Sequence, residues 1–448
     1  MKKVVTRRDF LRVSGLTSLV ASASVSGLSC PGFLAIDPNV ETDVLQIPYA
    51  DRKMGVGVWH NPNFSGERPL IVSSHGFSAS SVDLGTLHNY LANKGYVILA
   101  PDHKDAYNFG GSDMLKDSSP AVQEVIDQFG SVDNYVRTVL FSPYLDLKKE
   151  GKAFININLD VLTNLFTKTF NQIRDIPDYS EYKIQDLYNL VEWLLSGDVD
   201  DQRVIDILGS ALYESRVRDI SNLVDFATGD NHMGNNPRHR NILEEKFSGD
   251  VQIDSSKLCG MGYSLGGGTM LEILGAGDPC KGSEYYDKRF EKSPVVLIAP
   301  AAALNHKENF PSINNNVLFF DGDNDILLKG IVRRQPLLPN GKEVIIYGDS
   351  GHITFSDTAC GSDINYRLLS MIPQIVEEWG DCDTHEAVTP SRNKYVGRFF
   401  DRELGIKAEK QTELIDGALQ NPDVRYATSY PIDVVEFQEL FPEYAGQF

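Results

Sequence analysis

Hydrophobic residues fall into short runs rich in Val, Ile, Leu and aromatic side chains, separated by polar and glycine-bearing stretches. Runs at 43–49, 54–59, 70–74, 96–100, 257–263, 295–299, 317–320 and 343–347 predict eight β-strands. Leu70-Ile71-Val72 and Val295-Val296-Leu297-Ile298 are continuously apolar rather than alternating, the pattern of strands covered on both faces. Between most of these runs the period becomes helical. This happens at 81–94, at 217–226, where Val217, Ile220 and Val224 share a face, at 266–274 and at 364–379. The first two strands lie close enough for a hairpin. The later alternation of strand and helix predicts an α/β chain with a mostly parallel, doubly wound sheet.

The sheet pattern fills 40–382, with one long interruption at about 106–211 and a polar excursion at 228–247. Segments 184–195 and 204–213 have helical spacing, so the interruption is expected to form a helical cap. Ligand sites in such sheets lie beyond the carboxyl ends of the strands, where this insertion departs, and that placement suits a lid. The core is expected to be complete by 382, leaving 383–448 as a C-terminal extension without an assigned role. Within it, 392–404 sets Tyr395, Val396, Phe399 and Phe400 at helical spacing, so part of it should pack down.

Composition and charge narrow the picture. With 42% hydrophobic residues the chain can bury a large core, and its net charge of −20 excludes general nucleic-acid binding, which needs a surplus of Lys and Arg. Thr6-Arg7-Arg8-Asp9-Phe10-Leu11 and the weakly apolar stretch at 13–28 read as a twin-arginine signal within 1–30. That stretch is too short and Ser-rich to be a permanent membrane span. The expectation is export by the twin-arginine machinery to the periplasm or beyond. Ala21-Ser22-Ala23 fits a cleavage site, whereas Leu28-Ser29-Cys30 resembles a lipoprotein site; membrane contact follows only if Cys30 is lipidated. The five cysteines show no C-x-x-C pair, and one or two disulfides are expected among Cys259, Cys280, Cys360 and Cys382.

The chemistry concentrates in Gly262-Tyr263-Ser264-Leu265-Gly266, entered from an apolar strand and left through Gly267-Gly268 into a helix. Small residues flank Ser264 because such a turn holds the serine in a strained conformation with its hydroxyl exposed. A base must follow the nucleophile, and His352 lies on a glycine-bearing loop just beyond the last strand, unlike His306 and His385. A carboxylate must orient that imidazole, and Asp321-Gly322-Asp323-Asn324-Asp325 offers three. The same aspartates imitate the start of a calcium loop, but Ile326 and Val332 stand where glycine and glutamate are required. Backbone amides of Leu265 and of Phe77, in Ser73-Ser74-His75-Gly76-Phe77, are expected to form the oxyanion hole. His75 reads as a structural part of that loop, and His232 with His239 as a solvated loop rather than a metal site.

Together, Pro69-Leu70-Ile71-Val72-Ser73-Ser74-His75-Gly76, Gly95-Tyr96-Val97-Ile98-Leu99-Ala100-Pro101-Asp102-His103-Lys104-Asp105, Arg218-Asp219-Ile220 and the Ser264 turn resemble the platelet-activating-factor acetylhydrolase and dienelactone-hydrolase-like branch of the α/β-hydrolases. The resemblance covers most of 43–379 outside the insertion. It implies an α/β-hydrolase fold and a serine esterase for short or oxidised acyl esters, working without metal or organic cofactor. It also selects Asp325 as the acid, through the Gly-x-x-Asp turn after its strand, with Asp323 and Asp321 as alternatives. The chain departs from the acetylhydrolases at Pro300-Ala301-Ala302-Ala303, where their acid would follow the preceding strand. This makes a phospholipid substrate less secure. A polyester or lipid hydrolase, a peptidase and a catalytically silent binding protein are the competing readings.

Overall fold

A computed structural model describes residues 39–49, 52–76, 79–103, 213–247, 249–277, 286–302, 305–325, 327–339, 342–360 and 382–444. The signal segment, Cys30, Phe77, the cap at 106–211, Cys280 and the helix expected at 364–379 lie outside the described residues.

Nine strands form one sheet in the order β1-β2-β4-β3-β5-β6-β7-β8-β9. They are β1 (Glu41–Tyr49), β2 (Arg52–His60), β3 (Glu67–Ser74), β4 (Val97–Pro101), β5 (Gln252–Tyr263), β6 (Val295–Ile298), β7 (Val317–Gly322), β8 (Glu343–Tyr347) and β9 (Val424–Thr428). The hairpin of β1 and β2 leads antiparallel onto β4; from β4 through β8 every pairing is parallel.

Alternation along each central strand divides the core into two layers. Leu70, Val72, Val97, Leu99, Val295, Leu297, Phe319 and Ile346 point to one face. Ile71, Ile98, Val296, Ile298, Leu318, Phe320 and Ile345 point to the other. All fifteen are buried, which is why β3 and β6 read as unbroken apolar runs. Helices α2 (Glu214–Thr228), α3 (Leu265–Leu271) and α4 (Leu328–Arg334) cover the first face through Val217, Ile220, Leu271 and Ile331. On the second face lie α1 (Gly85–Asn93), α5 (His385–Glu403) and α6 (Gln411–Leu419), through Leu87, Leu91, Phe399, Phe400 and Leu414. The sheet is doubly wound, as its strand pattern requires.

The core does not end near 382. Past that point, α5 lies over the second face, β9 adds antiparallel to β8, and α7 (Val434–Leu440) sends Phe437 into the first layer. The expected eight strands are therefore nine, the last supplied by the extension. Its sequence, Val424-Arg425-Tyr426-Ala427-Thr428, is short and carries a charge, so it escaped the apolar pattern. Asp401 on α5 ties the extension to the start of β4, accepting from Lys94 Nζ at 2.7 Å and from the Tyr96 hydroxyl at 2.9 Å. A Cys360–Cys382 disulfide ties the chain just before the extension to the short helix Asp357–Cys360, while Cys259 is buried and unpaired.

Phe400 is fully buried, so Phe400→Ala should remove about 3–5 kcal/mol of stability in denaturant unfolding. A loss below about 1 kcal/mol would mean that the extension is not part of the cooperative core.

Candidate active site

Strand β5 ends at Tyr263, and Ser264 follows with φ +55° and ψ −121° before α3 begins. A non-glycine residue seldom adopts such a backbone, and it persists here because the turn is fixed on both sides. Ser264 N–H donates to Ile298 O at 2.9 Å, and Ser264 O accepts from Ala301 N–H at 3.0 Å. A methyl group on Gly262 would come within 2.3 Å of Gly266 O, and one on Gly266 within 2.0 Å of Ser74 O. The glycines of the motif are therefore demanded by backbone packed on backbone.

Two further turns arrive from strands beyond β6. Asp325 follows β7 and His352 follows β8. His352 Nε2 lies 2.9 Å from Ser264 Oγ, and its Nδ1 lies 2.8 Å from Asp325 Oδ2. An ionised carboxylate only accepts, so the imidazole proton sits on Nδ1 and donates to Asp325. Nε2 is left as the acceptor for the Ser264 hydroxyl. The other carboxylate oxygen, Oδ1, accepts from Leu327 N–H at 2.7 Å, which fixes the carboxylate plane. Asp325 is fully buried, and His352 and Ser264 keep only 2% and 8% of their surface exposed.

Tyr263 secures the imidazole. Its hydroxyl donates to His352 O at 3.0 Å, and its ring stacks on the imidazole at 5.2 Å between centroids. Sequence reasoning treated Tyr263 only as the variable position of the turn, and nothing local marked it otherwise.

The three aspartates have three different settings. Asp325 reaches His352; Asp323 accepts from Arg425 Nη1 at 2.7 Å and from Ser350 N–H at 3.2 Å. Asp321 is fully buried, with Oδ1 accepting from Gly322 N–H at 2.8 Å and Oδ2 without a donor among the described residues. Burial first, and then the charge of Asp325, push the Asp321 carboxyl well above the usual carboxylate range. Protonated, that carboxyl has a proton to offer the neighbouring Asp325 carboxylate.

His75 is held within its loop. Its Nε2 accepts from His103 N–H at 3.0 Å, so its proton sits on Nδ1 and donates to Gly76 O at 2.7 Å. Arg216 on α2 clamps the same peptides, donating to His75 O at 2.7 Å and Gly76 O at 3.1 Å. His103 in turn bridges Ser74 Oγ at 2.9 Å and Asp219 Oδ2 at 3.0 Å, all three side chains buried. In the sequence Asp219 and His103 stand out only through the family resemblance, and no local signal marks Arg216. Their partners are more than a hundred positions away.

The expected oxyanion donors divide. Leu265 is buried at the first position of α3, directly after Ser264, whereas the Phe77 amide lies outside the described residues. His306 contacts Glu308 at 3.1 Å, and His385 contacts Thr354 O at 2.7 Å, so each is engaged away from Ser264. Among the described residues no group of His, Cys, Asp and Glu is placed to hold a metal ion. His239 instead meets Gly229 O at 3.0 Å.

A parallel sheet with an antiparallel hairpin at one edge carries a serine on the sharp turn between β5 and a helix, with acid and histidine following in chain order. The chain has an α/β-hydrolase fold. It matches no family model and no curated protein. Solved structures similar to this hydrolase fold include a ferulic acid esterase from Streptomyces cinnamoneus, 16% identical with a TM-score of 0.46, the match covering 84% of this chain and 93% of that one. A dienelactone hydrolase from Anabaena variabilis is 13% identical with a TM-score of 0.32, covering 76% of this chain and 97% of its own. A dienelactone hydrolase-like promiscuous phosphotriesterase from metagenomic libraries is 12% identical with a TM-score of 0.36, covering 81% and 98%. With scores this low, the strand order and turn geometry carry the fold assignment by themselves.

The Asp321 setting has a pH consequence. A carboxyl whose folded value is raised keeps its proton after the unfolded chain has lost it, so it lowers stability as pH climbs from about 3.8. Asp321→Asn keeps a neutral donor toward Asp325 and should be at least as stable as the parent at pH 7. The parent should also lose stability more steeply between acid and neutral pH. Parallel curves for the two in pH-dependent thermal unfolding would contradict a protonated Asp321.

Proposed function

We propose that this protein is a serine hydrolase of carboxylic esters that works through an acyl-enzyme on Ser264. The observation that carries this reading is the pair of hydrogen bonds, 2.9 and 2.8 Å, that aligns Ser264, His352 and Asp325 at the carboxyl edge of the sheet.

Ser264 Oγ attacks the ester carbonyl carbon while its proton passes to His352 Nε2. Asp325 stabilises the imidazolium and keeps its ring in place. The oxyanion that forms is met by the backbone N–H of Leu265 and, on this reading, that of Phe77. Collapse breaks the carbon–oxygen bond, and the alcohol leaves with the proton from Nε2. Water then attacks the acyl-enzyme, loses a proton to His352 and releases the carboxylic acid with Ser264 restored. The chemistry consumes one water and calls for no metal or organic cofactor.

Short-acyl esters are the favoured substrates. The acid follows β7, while the segment after β6 supplies the buried Ala301 and Ala302. This supports the dienelactone-type resemblance over a phospholipid acetylhydrolase. The Cys360–Cys382 disulfide supports export, since such bonds persist in oxidising compartments. The twin-arginine pattern at Arg7-Arg8 names the export route, and Cys30 the point of a lipid anchor if one is present.

A panel of p-nitrophenyl esters from acetate to long chains, with a phospholipid alongside, tests the reading. Ser264→Ala should lower kcat at least about 1,000-fold, and acetate or butyrate esters should give the highest kcat/KM. Equal rates for parent and Ser264→Ala would remove the enzyme reading, and a preference for long chains would remove the short-acyl one.

A further inference from the structure

The C-terminal extension meets the hydrolase core at the turn that carries the triad acid. That turn and the histidine loop are zipped together by Asp323 N–H to Tyr347 O at 2.9 Å, Asn324 N–H to Ser350 O at 2.9 Å and Ser350 N–H to Asp323 Oδ1 at 3.2 Å. The two backbones approach so closely that a methyl on Gly322 would stand 2.0 Å from Ser350 O. Asp323 is the hinge pin of this arrangement, two positions before Asp325 and 3% exposed.

Its charge is met from the extension. Arg425, on β9, donates from Nη1 to Asp323 Oδ2 at 2.7 Å and from Nη2 to Leu440 O at 2.9 Å. The same guanidinium lies 4.3 Å from the centre of the Phe441 ring. The Tyr444 hydroxyl donates to Asp323 O at 2.7 Å, and Gly348 N–H donates to Asp423 O at 2.9 Å. Side chain and carbonyl of one residue in the acid turn are thus both held by the extension.

We propose that Arg425 is a positioning residue of the triad, which pins Asp323 and with it the acid turn so that Asp325 meets His352. A buried carboxylate stripped of its cation is strongly unfavourable, and it relaxes by moving toward solvent or recruiting another donor. Either movement pulls on Ser350, two positions before His352, and on Asp325. The kinetic part of this proposal rests on the esterase reading; the geometric part does not.

The test uses the full chain with Arg425→Met, Arg425→Lys, Tyr444→Phe and the double variant Asp323→Asn with Arg425→Met. It records kcat and KM separately on p-nitrophenyl acetate, and the strongly downfield proton resonance of the His352–Asp325 hydrogen bond. Arg425→Met should lower kcat about 10-fold or more, because small misplacements of a catalytic group are costly, with KM within about twofold. Its downfield resonance should shift or broaden. Arg425→Lys, which keeps the cation, and the double variant, which removes the buried charge, should each recover at least half of the loss on a logarithmic scale. Where Arg425→Met does not fold, Tyr444→Phe takes its place, with a kcat loss of about two- to fivefold and the same spectral change. A folded Arg425→Met, or in its absence Tyr444→Phe, with parental kcat and an unmoved resonance overturns the proposal. Should the parent prove inactive, the esterase reading fails, and the resonance alone decides whether Arg425 positions His352 and Asp325.

Discussion

Three chain turns must come within hydrogen-bonding distance of one another at one edge of a sheet, and the approach of backbone to backbone is what makes this possible. Gly266 sits against Ser74 O and Gly322 against Ser350 O, each at a spacing no side chain permits. The first contact seats the Ser264 turn beside the loop after β3. The second brings the acid turn against the histidine loop. Strand separation in the sheet is fixed by hydrogen bonding, so the turns above β5, β7 and β8 have little freedom to meet except through such contacts. Ser264, strained at φ +55°, is held there by the same packing.

The electrostatics of the acid turn follow from that crowding. Three carboxyl groups within five residues cannot all be buried as anions without compensation. Each is handled differently: Asp321 by a carboxyl pushed well above the usual carboxylate range, Asp323 by pairing with Arg425, and Asp325 by accepting from the imidazole. The assignment of roles is made by surroundings, not by residue type. With Arg425 on Asp323 and the Asp321 carboxyl disfavoured as an anion, Asp325 is the carboxylate that faces His352.

This division explains what was legible in the sequence. Val295-Val296-Leu297-Ile298 announces a buried strand because both of its faces are covered, and the glycines around Ser264 announce a turn because the backbone geometry excludes larger residues. Position beyond a strand end picked out His352. The acid was harder: Asp321, Asp323 and Asp325 are chemically identical, and the groups that tell them apart come from elsewhere in the chain. Arg425 reaches Asp323 from another strand, and His352 reaches Asp325 from the loop after β8. β9 itself was missed because an edge strand of five residues with one charged side chain has no long apolar run to show. The Arg216 clamp on the His75 loop escaped notice because it is a contact across 141 positions.

The pairing of Asp323 with Arg425 spans 102 positions. In kinetic language it is a contact of high order, for which the chain must give up loop entropy before any interaction is returned. The central sheet carries pairings of higher order still, for Leu70 on β3 lies beside Leu258 on β5. The central sheet and the contact that pins the acid turn both draw on distant parts of the chain, so neither is completed by local sequence alone.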